Sequence, residues 1–248
     1  MAATGWIEDF GAVQFHSTYL QRRRPGTSYR DFQRLWRSHG DFAATVPAFW
    51  NEVDRYIHND PVEDPAGLPG HTLGYDAVGE LYYTSYQRWL AIRDVMWHEV
   101  APDESRVFEG PPIAVRGERT AIGTPRGLHK LFTFASFRQD LAAAEAACAL
   151  ERHISNAVAA TGFGERLAGF TITRACSHDP ASGMGTVAQT SSSRDLLLIQ
   201  HFSSEQSARM ALASAGYAHL ECEQDAFLDW DSRIVVLARG WILKGENG

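Results

Sequence analysis

Long apolar runs are missing from this sequence. No stretch reaches the roughly 18 residues that a bilayer-spanning helix needs, so no membrane-crossing helix and no membrane partner are expected. Cysteine is scarce. Cys148, Cys176 and Cys222 are an odd number without Cys-x-x-Cys spacing, which argues against a disulfide framework and suits a reducing cytoplasm. Cys148 lies in the Ala-rich "LAAAEAACALERH" and reads as a small buried thiol. A basic stripe is missing too. The net charge is -7 and the densest basic stretch is "QRRR", residues 21–24, too short to neutralise a run of phosphates. Nucleic acid is therefore not an expected partner. The first residues, "MAATGWIEDFGAV", have neither a basic nor an apolar leader segment, so no secretory signal is expected. His-Glu-x-x-His, Gly-x-Gly-x-x-Gly after a strand, the phosphate-binding Gly-x-x-x-x-Gly-Lys loop and the Gly-x-Ser-x-Gly elbow are all absent.

What remains is an ordinary globular composition, 44% hydrophobic and 21% charged over 248 residues, enough for one large domain or two small ones. The pattern along the chain is more informative. Residues 11–22 read as a strand and Pro25-Gly26 as a turn. Ser28 caps a helix, with Asp31 in its first turn. Phe32, Leu35, Trp36, His39, Phe42, Ala43 and Val46 then recur at helical spacing as far as Pro47. Strands are expected at 52–59, 77–83 and 106–118, a long Pro/Gly loop at 60–76, and a second helix after Ser85. That order is β-α-β-β-α-β, the ferredoxin-like unit.

The order then repeats. Strands are expected at 128–136, 167–175, 195–204 and 232–243, with helices at 141–161 and 205–216 and a loop at 178–193. "LWRSHGDFA" aligns with "LERHISNAV", setting His153 opposite His39, and "GELYYTS" aligns with "LIQHFSS", setting His201 opposite Tyr82. A linker is expected at 118–127, dividing the chain into units of 1–120 and 121–248. Each unit is a sheet with helices on one face, and the two bare faces can bury one another. The expected fold is α+β: two tandem ferredoxin-like βαββαβ units forming one intrachain barrel with helices outside. Such a fused pseudo-dimer is either a monomer or pairs again as a homodimer.

Four segments of the first unit carry a resemblance: "RRPGTSYRDFQRLWRSHG", "RYIHND", "DAVGELYYTS" and "PDESRVF". In this order they resemble the EthD-like branch of the dimeric α+β barrel superfamily over residues 12–110. Ala77 stands where that pattern often has Gly, and the second unit keeps the order and His153 but few motif residues. The resemblance implies the barrel fold and a small-molecule enzyme without a bound organic cofactor. Superfamily members include cyclases, decarboxylases and dehydratases of polyketide and other natural-product biosynthesis, monooxygenases and degradative enzymes, and related tandem barrels bind haem.

Strand alternation sorts the candidate residues. Gln14, His16, Thr18, Tyr56, His58, Glu80 and Tyr82 form one polar set, which inside a barrel needs partners or a ligand. The second unit is less polar, so one pocket built mainly by the first unit is expected. His39 lies on the apolar stripe. It reads either as a core histidine or as an acid/base in a sheet–helix cleft. The catalytic candidates are His39, His58 and His16, and the substrate-binding candidates are Tyr56, Glu80, Tyr82, Trp36, Tyr83 and His71. Glu80 has the alternative of pairing with Arg55, and Asp103-Glu104 reads as a helix-terminal turn. No metal site is expected, since His16, His58 and Glu80 lack local ligand spacing. The expected activity is lyase- or cyclase-type acid–base chemistry on an aromatic or polyketide-like molecule, without a cofactor. The alternatives are a cofactor-free or haem-dependent oxygenase, and a non-catalytic binding protein.

Overall fold

The computed structural model describes residues 14–63, 68–123, 125, 127–176 and 194–245. The loop expected at 178–193 and the first 13 residues, where no secretory signal is expected, lie outside them.

Eight strands close into one antiparallel barrel. They are β1 (Phe15–Gln21), β2 (Arg55–Pro61), β3 (Ala77–Tyr83), β4 (Ile113–Gly123), β5 (His129–Ala135), β6 (Leu167–Ala175), β7 (Leu196–Phe202) and β8 (Ile234–Lys244). Around the barrel they run β1-β3-β2-β8-β5-β7-β6-β4, with β4 closing on β1. The first four strands are therefore ordered β4-β1-β3-β2 and the last four β8-β5-β7-β6. Full closure removes every free edge. All eight strands fall close to their expected places except β4. Pro111-Pro112 forbids ladder donors there, so that strand starts at Ile113, and residues 118–123, expected in the linker, continue it.

Helices cover the outside. In the first half these are α1 (Tyr29–Ala44), α2 (Pro47–Trp50), α3 (Tyr86–Val95) and α4 (Ala101–Glu104), the last two joined by a π-helical turn at Met96–Val100. In the second they are α5 (Ala143–Ala159), α6 (Glu205–Leu212) and α7 (Ala215–Gln224). The hydroxyl of Ser28 accepts from Asp31 N–H at 3.1 Å, which caps α1 as its sequence requires. The expected helix over 205–216 is two helices. Ser214 breaks it by capping α7 through Tyr217 N–H. Cys148 lies on the outer face of α5 and is exposed, contrary to the buried thiol expected, because the buried stripe there is Ala146, Leu150, His153, Ile154 and Ala157. Among the described residues no helix is long and apolar enough to cross a membrane.

The register sorts every strand residue. His16 faces Tyr82, Thr18 faces Glu80 and Leu20 faces Val78 across β1 and β3, and these point into the barrel. Phe15, Tyr19, Gly79, Leu81 and Tyr83 point outward to the helices. In β2, Ile57 pairs with Glu80 and Asn59 with Val78, so the alternate residues Tyr56 and His58, opposite Leu81 and Gly79, face the helices. This corrects the expected polar set. Cross-strand partners share a face, and the offset of β2 against β3 moves Tyr56 and His58 to the other side of the sheet. Gln14 is exposed at the strand start.

Candidate functional site

The barrel interior has an apolar end and a polar end. The apolar end is filled by Leu20, Val78, Phe132, Phe134, Ile199 and their neighbours. The polar end centres on Glu80. Its carboxylate accepts from Lys130 Nζ, from Asn59 Nδ2 at 2.8 Å and from the Tyr82 hydroxyl at 2.6 Å. Burial alone would raise this carboxyl. Lys130, His16 and the hydrogen bonds overcome it and hold Glu80 at about 2. His16 stacks on Tyr82 with centroids 4.2 Å apart, and its Nδ1 lies 2.7 Å from the Thr173 hydroxyl. His201 reaches Thr171 at 3.1 Å and Gly127 O at 3.2 Å. Burial lowers His16 and His201 to about 3, so both rings are neutral.

Two expectations change here. Glu80 pairs with Lys130 rather than Arg55, and Lys130, Thr171, Thr173 and His201 come from the second half, so this cluster is shared between the halves. It is a cross-linked core in which each titratable group has a partner.

On the other side of the same sheet, under α1, a second cluster forms. Gly79 makes it possible. A Cβ there would stand 2.1 Å from the Tyr19 ring, so only glycine lets the phenol lie across β3. Tyr19 then meets the Tyr56 hydroxyl at 3.1 Å. Burial raises both phenols above their ordinary value. Trp36 and His58 stack face to face, 4.1 Å apart and 10° from parallel. Gly40, the next residue after His39, gives the His58 ring its space, since a Cβ would come within 3.1 Å of Cε1.

The tautomers of the two histidines follow from their partners. Asp103 can only accept, so His39 Nδ1 donates to it at 2.9 Å and Nε2 keeps a lone pair. Burial lowers His39 and Asp103 opposes that, so the ring is neutral at pH 7. Arg37 can only donate, so His58 Nδ1 accepts from it at 3.1 Å and the proton sits on Nε2. Burial, then Arg37 and His39, hold His58 well below the ordinary value. Arg37 is itself fixed to Asp60 at 2.5 Å. Two buried groups in this layer, His58 Nε2 and the Tyr83 hydroxyl, have no hydrogen-bond partner among the described residues, and the Trp36 indole is directed at the Tyr19 phenol. Burial pushes Glu104 up to about 7, and its charge is felt by Tyr19 and Tyr56.

The candidates therefore separate. His39, His58, Tyr56, Trp36 and Tyr83 share the sheet–helix layer, while His16, Glu80 and Tyr82 are inside the barrel. His16 and Glu80 lie 3.7 Å apart, but His58 is across the sheet from them, so these three do not converge on a metal. No group of three or more His, Cys, Asp or Glu with metal-holding geometry occurs among the described residues. His71 lines a cleft beside Tyr29 and Tyr75, apart from both clusters. Tyr19, Arg37, Asp103, Glu104 and Lys130 were not among the expected site residues. The signal for Asp103 was present: the His-Gly of "LWRSHG" and the acidic pair of "PDESRVF" belong to one motif set.

The architecture is that of an α+β barrel, eight antiparallel strands closed on themselves with helices outside. The model of the EthD domain matches residues 24–111, a segment that contains α1, β2, β3 and Asp103. Three solved structures share the fold. An anthrone oxidase-like protein superposes with a TM-score of 0.60 at 8% identity, covering 96% of both chains. A provisionally named monooxygenase of Fusobacterium nucleatum gives 0.58 at 8% identity, covering 95% of this chain and 96% of its own. A second such protein, from Lactobacillus acidophilus, gives 0.51 at 10% identity, again covering 95% and 96%. No curated protein matches the chain.

Proposed function

We propose that this protein is a small-molecule enzyme that moves protons in the sheet–helix layer of its first half. The observation that carries the reading is the 2.9 Å contact between buried His39 and half-buried Asp103, in the same layer as N–H and O–H groups that have no partner among the described residues. Buried polar groups without partners are rare, and a ligand is one explanation of a cluster of them. His39 Nε2 takes a proton from an acidic carbon or hydroxyl of the substrate, and Asp103 steadies the imidazolium that forms. The oxygen of the resulting enolate or phenolate is held by neutral donors: the Tyr19–Tyr56 phenols, the Trp36 indole and the His58 Nε2–H. His58 is a donor in this reading and not the acid/base, because Arg37 occupies its lone pair. Glu104, pushed by burial to about 7, is suited to return the proton. The reaction class is cyclisation, dehydration or decarboxylation of an aromatic or polyketide-like substrate.

The repeated strand order supports a finer reading of the fold as two tandem ferredoxin-like units, the first carrying the site and the second diverged. Such a chain supplies both halves of the barrel and works as a monomer or as a homodimer.

A panel of hydroxylated polyketides and aromatic acids tests the reading. His39→Ala should lower turnover about 10²-fold or more, and Asp103→Asn less, with KM little changed. Wild-type turnover in His39→Ala rejects it. A second reading, cofactor-free oxygenation, draws on the fold neighbours named as monooxygenases and anthrone oxidase-like. It predicts oxygen uptake with the same panel, whereas the acid–base reading predicts none.

A further inference from the structure

Apart from the His39 layer, an open cleft of about 330 Å³ lies where β1 leaves the barrel and β3 enters it. Its walls are tied in place. Tyr29, the first residue of α1, donates its hydroxyl to Pro61 O at 3.0 Å. The backbone N–H of Arg23 donates to Asp76 at 2.9 Å, and its guanidinium lies 3.4 Å from the same carboxylate. On the far side, Thr72 N–H donates to Val235 O at 2.8 Å and Val235 N–H donates to the Thr72 hydroxyl at 3.1 Å. The cleft is thus part of the fold, pinned to α1, β2 and β8.

Its lining selects by charge. Glu63 and Asp76 are carboxylates, and the guanidinium of Arg23 is engaged by Asp76. An entering anion meets Glu63 and gains little from Arg23. An entering cation finds guanidinium groups already over the rings, Arg23 5.8 Å from the Tyr29 centroid and Arg22 4.8 Å from that of Tyr75. A neutral aromatic molecule is not repelled by Glu63, and it stacks on guanidinium planes as well as on rings. Tyr29, Tyr75, Pro61 and Val62 offer flat and apolar surface. Burial keeps His71 neutral, with one N–H and one lone pair that have no partner among the described residues. A phenolic hydroxyl, which both donates and accepts, matches that ring.

We propose that this cleft is a binding site for neutral, planar phenols of two or three fused rings. The proposal stands apart from the acid–base reading, because it concerns binding at a different place.

Calorimetric titration of the full chain at pH 7 tests it, with 2-naphthol, 2-naphthoate and 1-naphthylmethylammonium as probes. The phenol is neutral there, its pKa being near the phenolic value of about 10. 2-Naphthol should bind at least about tenfold tighter than either charged probe, and Tyr75→Leu should weaken it about tenfold. Glu63→Gln, at an exposed position, should leave 2-naphthol unchanged and improve 2-naphthoate about threefold. That variant keeps the test decisive should Tyr75→Leu fold poorly. His39→Ala should bind 2-naphthol as the wild type does. Equal or tighter binding of a charged probe, no binding of 2-naphthol, or indifference to both cleft variants overturns the proposal. Loss of 2-naphthol binding in His39→Ala alone also overturns it, while leaving the acid–base site standing.

Discussion

At the scale of single residues, the protein separates three histidines by what each touches. His39 donates to a carboxylate and keeps a basic nitrogen. His58 accepts from a guanidinium and keeps a donor. His16 is sealed among Thr18, Thr173 and Tyr82. Their ring chemistry is the same and their neighbours decide the role. For His58 this gives a direct expectation. Its imidazole should show the Nε2–H tautomer in nitrogen NMR from pH 5 to 9 without titrating, since protonating Nδ1 requires Arg37 to leave. Arg37→Met should move the ring's titration upward without returning it to the ordinary value, because burial, the larger cause, remains. A wild-type ring that protonates near 6.5 would contradict the assignment.

At the scale of elements, β3 carries two opposite demands on one strand. Glu80 and Tyr82 serve the barrel interior while Gly79, Leu81 and Tyr83 serve the helix layer. Gly79 is the tightest point, because the Tyr19 phenol occupies the space of a side chain. Gly79→Ala should destabilise the fold by about 1–3 kcal/mol through overpacking and separate Tyr19 from Tyr56. Urea denaturation reads the first effect, and the second should appear as reduced turnover in whatever fraction still folds. The strand itself was plain in "AVGELYY". Which face of β2 it would match was not, because period-2 alternation leaves the register between two strands open by one residue.

At the scale of the whole molecule, the two halves meet across a charged core. Lys130 on β5 neutralises Glu80 on β3, and His201 on β7 sits near the same group. Removing one partner of such a pair leaves a buried charge, which makes this link expensive to break. It also makes the barrel sensitive to acid. His16 and His201 are neutral in the folded barrel down to about 3, whereas in the unfolded chain each protonates near 6.5. Between those values the unfolded state binds more protons, so stability falls as pH falls through that window. Glu80 acts in the same direction only at lower pH, its contribution being lost from 4.5 down to about 2. The unfolding free energy from urea titration should therefore drop between pH 7 and pH 5, by about 2 kcal/mol for each of the two histidines. A His16→Asn, His201→Gln double variant should make that dependence shallower, the buried His39, His58 and His153 supplying what remains, and an equally steep profile would show that other groups control it.

By itself the sequence determined the element types and their order, the Ser28 cap, the long apolar face of α1 and the EthD pattern. These are local properties, written in periodicity and capping over a few turns. Only the tertiary structure decided which candidates meet. The register of β2 on β3 put Tyr56 and His58 with His39 and left His16, Glu80 and Tyr82 inside the barrel. Closure of β2 on β8 and β4 on β6 brought Lys130 and Thr173 against the first half. The return of the chain at α4 set Asp103 beneath His39, 64 positions away. Contacts over such separations depend on how sheets close and helices cross, and no local pattern in a single chain encodes that geometry.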